Sequence, residues 1–328
     1  MFLYYDTLNG MVNHYNGSEY YIGINPRFMN TLDDVLTLAK SIGPKKVAVA
    51  QAEDEEVLLA LEQARKEKIV EVVLMGRQDK IEQLATQHKI DIGKFEIQPE
   101  DDGFSASLEC CKLVNRGEVD FMMKGLVGTA HFLKAILDKE KGLGTGKLLS
   151  HVAVFEIPAY PKLLMITDAA INIAPSLLEK AQIIQNAVEV AHSLGIKLPN
   201  VACIAAVEKV YPDKMPATLD CACLSMMAKR GQIKGALVDG PFGLDNAVSE
   251  ESARIKGVKS GMAGRVDILL CPNIESGNAI YKTLMAFCQA RCAAIVVGTK
   301  APVVLTSRAD SHETKFMSIA LGVASCKR

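Results

Sequence analysis

The chain has 328 residues, 49% of them hydrophobic and 23% charged, with a formal net charge of −1 at pH 7. Such a composition excludes a disordered chain and leaves room for one large or two medium α/β domains. The near-zero charge excludes long-range attraction to nucleic acid or an anionic membrane, and 5% aromatics with no tryptophan argue against a base-stacking platform. The longest apolar runs, 266–271 and 293–298, have the length of strands and fall far short of a membrane span. Nothing near Met1 has the basic-then-apolar layout of a signal peptide. The nine cysteines form no CxxC pair and several stand inside apolar runs, so they read as reduced core thiols of a cytoplasmic protein.

Residues 1–28 show no clear period and read as an N-terminal extension. A helix is predicted over 29–40, a strand over 47–50, a helix over 55–66 and a strand over 70–76. Helices over 79–88 and 105–115 and a strand over 121–123 follow. The Gly- and Lys-rich stretch 139–147 breaks the period and marks a hinge. A second set starts with strands at 152–157 and 163–167 around a Pro-bounded turn. It goes on to a helix over 176–194 that Gly195 ends. Then come a strand at 201–205, a helix at 216–229, strands at 236–239 and 266–271, and a helix at 278–291. Strands at 294–298 and 303–306 and a helix at 312–321 complete the chain. Strands alternating with helices of this length make βαβ units and a mostly parallel sheet.

Chemistry concentrates where strands hand over to helices, the place at which open parallel sheets bind ligands. In Pro302-Val-Val-Leu-Thr-Ser-Arg-Ala-Asp-Ser311, Ser307 and Arg308 stand just past a strand end and before a helix start. Free N–H groups there suit phosphate, and Arg308 adds a planar cationic fork. Plain helix capping by Asp310 and Ser311 is the competing reading. Pro272-Asn-Ile-Glu-Ser-Gly-Asn-Ala-Ile-Tyr-Lys282 has the same layout, with Asn278 and Lys282 four apart on one helix face. Met122-Met-Lys-Gly-Leu-Val-Gly-Thr-Ala-His131 lacks the spacing of a nucleotide P-loop, yet Lys124, Gly125 and Thr129 can hold an anion. Segments 167–175 and 238–247 add Asp and Asn at two more strand ends, Asp239 and Asn246 among them. No HxxxH, GxSxG or GxGxxG occurs where zinc, serine-hydrolase or dinucleotide chemistry needs it. His131 and His151 read as surface or strand-end residues. An acyl-enzyme on Cys203 or Cys221 has no histidine near it in sequence.

From about residue 36 to 322 the sequence resembles the phosphate acetyl/butyryl transferases. Lys124-Gly-Leu-Val127, Asp239-Gly-Pro241, Asp245-Asn-Ala247, Gly277-Asn278 with Tyr281-Lys282, and Ser307-Arg308-Ala-Asp-Ser311 stand where that family has its motifs. Their wording is more like the butyryl branch than the acetyl branch. The resemblance implies two α/β domains flanking an active-site cleft, as in the isocitrate and isopropylmalate dehydrogenases. Domain I would be 29–145 completed by 299–328, and domain II 146–298. It implies a homodimer or larger homo-oligomer, acyl-CoA and inorganic phosphate as substrates, no metal, and no tightly bound cofactor, coenzyme A being itself a substrate.

Carried over, Ser307 hydrogen-bonds the coenzyme A sulfur and Arg308 binds phosphate and the acyl carbonyl oxygen. The family resemblance extends to substrate or phosphate binding by Lys124, Gly125, Thr129, Asn278, Lys282, Asp239 and Asn246. Two departures stand out. Thr314 occupies the place of the acetyl branch's proposed base, leaving Glu313 and Asp310 as the nearest carboxylates, and Leu133 occupies the place of an arginine, for which Lys134 or Lys124 would substitute. The implied reaction is attack of phosphate on a thioester in a ternary complex, the acyl group being butyryl or a branched short chain. The rivals are phosphate acetyltransferase, a dehydrogenase on a similar cleft, and a catalytically weak acyl-CoA-binding homologue.

Overall fold

The structure, a computed structural model, describes residues 4–5, 12–13 and 29–326, so most of the 1–28 extension lies outside the described residues. The short strands β1 (Tyr4–Tyr5) and β2 (Val12–Asn13) pair antiparallel. Helix α1 (Leu32–Ile42) starts three residues later than expected, because Thr31 caps it: its hydroxyl accepts the Asp34 N–H while the Asp34 carboxylate accepts the Thr31 N–H. Then come β3 (Lys45–Ala50), α2 (Glu55–Lys66) capped by Asp54, β4 (Val70–Gly76) and α3 (Gln78–Gln87). They are followed by β5 (Glu96–Pro99), α4 (Gly103–Arg116), β6 (Phe121–Lys124) and α5 (Thr129–Ile136).

The second set is β7 (Ser150–Glu156), β8 (Leu164–Thr167), α6 (Leu177–Ser193), β9 (Asn200–Ile204) and α7 (Pro216–Lys229). It continues through β10 (Leu237–Phe242), α8 (Leu244–Val248), α9 (Glu250–Ile255), β11 (Ile268–Leu270) and α10 (Ile274–Phe287). The chain ends with β12 (Arg291–Val297), β13 (Val303–Val304) and α11 (His312–Ser325).

Eleven strands form one sheet in the order β10-β9-β11-β8-β7-β12-β13-β6-β3-β4-β5. The outer blocks, β10-β9-β11-β8 and β13-β6-β3-β4-β5, are each parallel within themselves. Between them β7 and β12 pair antiparallel with each other and with their neighbours, so the two blocks run in opposite senses. The fold is α/β, as expected, on a large mixed sheet. The chain passes between the blocks at 137–149 and again at 298–302. The two crossings touch: Gly144 bridges Thr299, and the Thr145 hydroxyl donates to the Gly298 carbonyl at 2.8 Å.

Alternation along the strands sends side chains to two faces. On one face Val47, Val49, Phe121, Met123, Val152, Val154, Met165, Val201, Ile268, Ile295 and Val304 join a single apolar core under α1, α2, α6 and α11. On the other face the core is divided. Ala153, Phe155, Ile166, Leu269 and Ala294 belong to one cluster, and Ala48, Val73, Met122, Val296 and Val303 to another. The seam between these clusters crosses β12 between Ala294 and Val296, and the polar groups described next gather there.

Candidate active site

Lys124 ends β6 and by parity points to the divided face. It is 3% exposed, and its Nζ donates to the carbonyls of Gly125 (3.0 Å) and Val127 (3.1 Å). Burial lowers its pKa, and the positive charge of Arg308 lowers it further. Gly125 is fixed by its backbone: its N–H donates to Ala50 O at 2.9 Å, and a Cβ there would collide with the Gln51 carbonyl. Thr129 opens α5 as an exposed residue, and no side chain caps that helix start.

The expected strand 303–306 stops at Val304, because the chain turns into a self-bonded loop. The Ser307 N–H donates to Asp310 Oδ2 (2.7 Å) and the Asp310 N–H returns to Ser307 O (3.2 Å). Lys315, buried in the first turn of α11, donates to the carbonyls of Asp310 (2.5 Å) and Ser307 (3.5 Å), stapling the loop from beneath. Ser307 and Arg308 therefore stay exposed on a fixed backbone while Asp310 is buried. Arg308 Nη2 reaches Leu126 O at 3.2 Å, so its guanidinium lies over the loop that follows Lys124. The structure thus brings Ser307, Arg308, Asp310, Lys124 and Gly125 together.

Glu313 faces elsewhere. Its carboxylate is bound by Arg291 Nε (2.9 Å), and the same guanidinium holds Glu156 and Asp33. Thr314 is buried with its N–H on Ser311 Oγ, and Lys134 sits over the Phe104 ring.

Helix α10 starts at Ile274, four residues before its expected start, because Asn273 caps it by accepting the Ser276 N–H. Asn278 and Lys282 are exposed one turn in. Asn278 donates to Ala169 O (3.2 Å), and Lys282 lies 5.2 Å over the Tyr281 ring. Gly277 is required because a Cβ would strike the Asp168 carbonyl. Asp168 is itself a buried hub. Its Oδ1 accepts the N–H groups of Ala170 and Ile171, and its Oδ2 accepts the His151 N–H (3.0 Å) and the Asn172 amide (2.6 Å). Tyr281 packs edge-on to Phe155 and 6.1 Å from the His151 ring. Asp310 acts electrostatically on both Tyr281 and His151, so this cluster adjoins the Ser307 loop.

Asp239 and Asn246 lie apart. Asp239, on the edge strand β10, accepts from Ser225, Ser260 and the Gly240 N–H. Buried Asn246 donates to Glu208, which Lys256 also binds. Asp239 is three strands from β8, about 14 Å at the usual strand spacing, beside its own 350 Å³ hollow lined by Glu208, Lys256 and Ser260. A groove of 940 Å³ between α1, α6 and the end of α11 lies on the undivided face and contains none of the motif residues.

Cys203 is buried, and contact with the Cys221 thiol together with that burial holds its pKa well above the ordinary thiol value, which opposes a nucleophilic role. Among the described residues no group of three or more His, Cys, Asp or Glu is placed to hold a metal ion, and no helix is long and apolar enough to cross a membrane. Lys315 is not singled out by the sequence, Asp168 belongs to the strand-end segment 167–175, and His151, expected at a surface or strand end, is buried. Asp168 carried a signal, since it follows a predicted strand end; the buried lysine of an amphipathic helix carried none.

Comparison with known proteins identifies the family and the fold. Residues 30–107 and 105–323 match the family described as phosphate acetyl/butaryl transferase. The chain is 52% identical over 293 residues to a phosphate butyryltransferase of Clostridium acetobutylicum, covering 89% of this chain and 97% of that one. It is 45% identical over 294 residues to a phosphate acetyltransferase of Thermotoga maritima, covering 88% and 98%. A crystal structure of a branched-chain phosphotransacylase from Enterococcus faecalis V583 superposes with a TM-score of 0.76 at 34% identity, over 86% of this chain and 99% of that one.

Proposed function

Because the chain belongs to the phosphate acetyl/butyryl transferase family and is therefore a phosphate acyltransferase, we propose that it moves a butyryl or branched short-chain acyl group between coenzyme A and phosphate by direct attack in a ternary complex. The observation that carries this reading is the Ser307–Arg308 pair, exposed on a stapled loop and set beside the buried cation Lys124 at the seam of the divided face. Bringing phosphate to coenzyme A joins two polyanions, and fixed positive charge in a site shielded from water is what offsets that cost. Arg308 binds phosphate and polarises the acyl carbonyl, Lys124 supports the same charge, and Ser307 hydrogen-bonds the sulfur. Thr129, at an uncapped helix start, and Asn278 and Lys282, across the seam, complete the substrate contacts.

Phosphate oxygen bonds to the carbonyl carbon, the oxyanion collapses, and the C–S bond breaks to release the thiolate. Asp310 orients the Ser307 loop, since its carboxylate already accepts the Ser307 N–H. Glu313 is engaged by Arg291, which leaves it poorly placed as a base. Asp239 and Asn246 support domain II from its edge. On this reading 29–145 with 299–328 and 146–298 are two domains moving about the paired crossings, in a cytoplasmic homodimer or larger homo-oligomer.

The names of the Clostridium and Enterococcus relatives favour a four-carbon or branched acyl group, and the Thermotoga relative keeps acetyl as the runner-up. Thiol release with phosphate and acetyl-, butyryl- and isobutyryl-CoA decides between them. One or two methylenes should give butyryl- or isobutyryl-CoA on the order of a 10-fold or greater advantage in kcat/KM. A preference for acetyl-CoA overturns the acyl assignment, and no thiol release with any of the three overturns the function.

A further inference from the structure

The proton that this reaction moves has no carrier in the residues assigned so far. In the forward direction hydrogen phosphate loses its O–H proton as its oxygen bonds to the carbonyl carbon, and the departing thiolate gains one as the C–S bond breaks. Thr314 cannot take a proton, Glu313 is bound by Arg291, and Asp310 is committed to the Ser307 N–H.

His151 lies at the seam. It is the second residue of β7, and its neighbours on the same face are Ala153 of one cluster and, across the strand pair, Val296 of the other. It is 4% exposed, and neither ring nitrogen has a hydrogen-bond partner among the described residues, Nδ1 being completely buried. An unpartnered buried polar atom is unfavourable, and the fold places one where its apolar neighbours make no use of it. The backbone is clamped on both sides of the ring: the His151 N–H donates to Asp168 Oδ2 at 3.0 Å and the His151 carbonyl accepts the Thr167 hydroxyl at 2.8 Å. The stretch of main chain that carries the ring is therefore held in place.

We propose that His151 is the proton carrier of the acyl transfer, accepting the hydrogen phosphate proton and returning it to the leaving sulfur, with Nε2 as the edge that meets the substrates. In the reverse direction it takes the thiol proton of coenzyme A as sulfur attacks the acyl phosphate, and it passes that proton to the departing phosphate oxygen as the C–O bond breaks. The proposal rests on the phosphate acyltransferase reading above.

The groups around the ring fit the task. Asp168 after β8 and Asp310 before α11 are the flanking carboxylates; Tyr281 on α10 and Cys292 on β12 are held neutral, their pKa values pushed up by burial. Lys282, over the Tyr281 ring, supplies positive charge that acts on Cys292. Burial pushes the His151 pKa below its ordinary value while the two carboxylates pull it back, so the ring is neutral near pH 7 and able to accept.

The test uses butyryl phosphate and coenzyme A with the full chain. His151→Gln and His151→Ala should lose about 10²- to 10⁴-fold in kcat with each KM within about threefold. Wild-type kcat should fall as pH drops through a value below 6.5, that acid limb should vanish in both variants, and added imidazole should restore part of the alanine variant's rate. Variants within about threefold of wild type, or with the acid limb intact, overturn the proposal. If both variants fail to fold, the wild-type profile still decides, since a kcat with no acid limb overturns it alone. A wild-type enzyme inactive on every acyl substrate sinks the functional reading instead, which separates the two failures.

Discussion

The two faces of the sheet are made from the same strands and are put to opposite uses. On the undivided face, apolar side chains from both parallel blocks merge under α1, α2, α6 and α11, and α11 is buried along nearly its whole length. On the other face the two clusters stop short of each other, and Lys124, His151, Asp168 and Asp310 occupy the gap. Burying charge in that gap works against stability and is tolerated because the opposite face is continuous. One side of the molecule holds the blocks together, and the other holds an ionic environment that folding alone would not select.

The sharpest way to break this comparison is to damage the continuous side. Phe316→Ala removes a fully buried ring from α11 and should destabilise the protein by roughly 3–5 kcal/mol. Urea unfolding should still show one transition, and two separated transitions would mean the blocks are independent after all. Arg308→Gln, on the divided side, should lower thiol release on the order of 100-fold while leaving the melting temperature unchanged, because the side chain is exposed. Near-wild-type release in that variant would sink the assignment.

Lys124→Met should raise the phosphate KM about 10-fold or more, from loss of a charged contact, yet leave stability equal or higher. The sign follows from linkage. The folded-state pKa lies below the ordinary 10.5, so the unfolded chain binds more protons between the two values and stability contributed at this site rises with pH across that window. Urea midpoints measured up to pH 10.5 should show that rise in wild type and lose it in the variant. The smallest effect concerns the thiols. Burial pushes Cys111 and Cys271 up to about 12, so a thiol reagent at pH 8 should label only the partly exposed Cys223 and Cys288 within minutes. Rapid labelling of Cys203 or Cys221 would reopen an acyl-enzyme route.

Most elements were legible in the sequence because apolar periodicity reports burial directly. The exceptions have physical causes. β5 (Glu96–Pro99) is a half-exposed edge strand with no apolar run, and β13 was read two residues too long because the Ser307–Asp310 turn, not hydropathy, ends it. α11 was read four residues short, its last turn being kept helical by burial against the sheet. The sense of β7 and β12 was illegible, since an apolar strand looks the same in either direction. Ser307, Arg308 and Lys124, which the structure brings close together, are legible from their strand-end positions. His151 reads from the sequence as a surface or strand-end residue, yet it is buried, because its surroundings come from β8, α10 and the loop before α11.

The position of β13 between β12 and β6 has a consequence for how the protein is made. Lys124, the end of β6, and Val303 are separated by 179 residues of sequence. At about 5–20 residues per second, a ribosome needs on the order of 10–35 s to deliver the strand that pairs with β6. Throughout that interval one edge of the β6-β3-β4-β5 block is an open template for foreign strands, and α11, which closes the undivided face, has yet to emerge. The nascent chain is therefore a natural client for chaperones, and one late segment supplies both the closing strand and the Ser307–Arg308 loop. Truncated chains should accumulate as aggregates rather than as partly active enzyme.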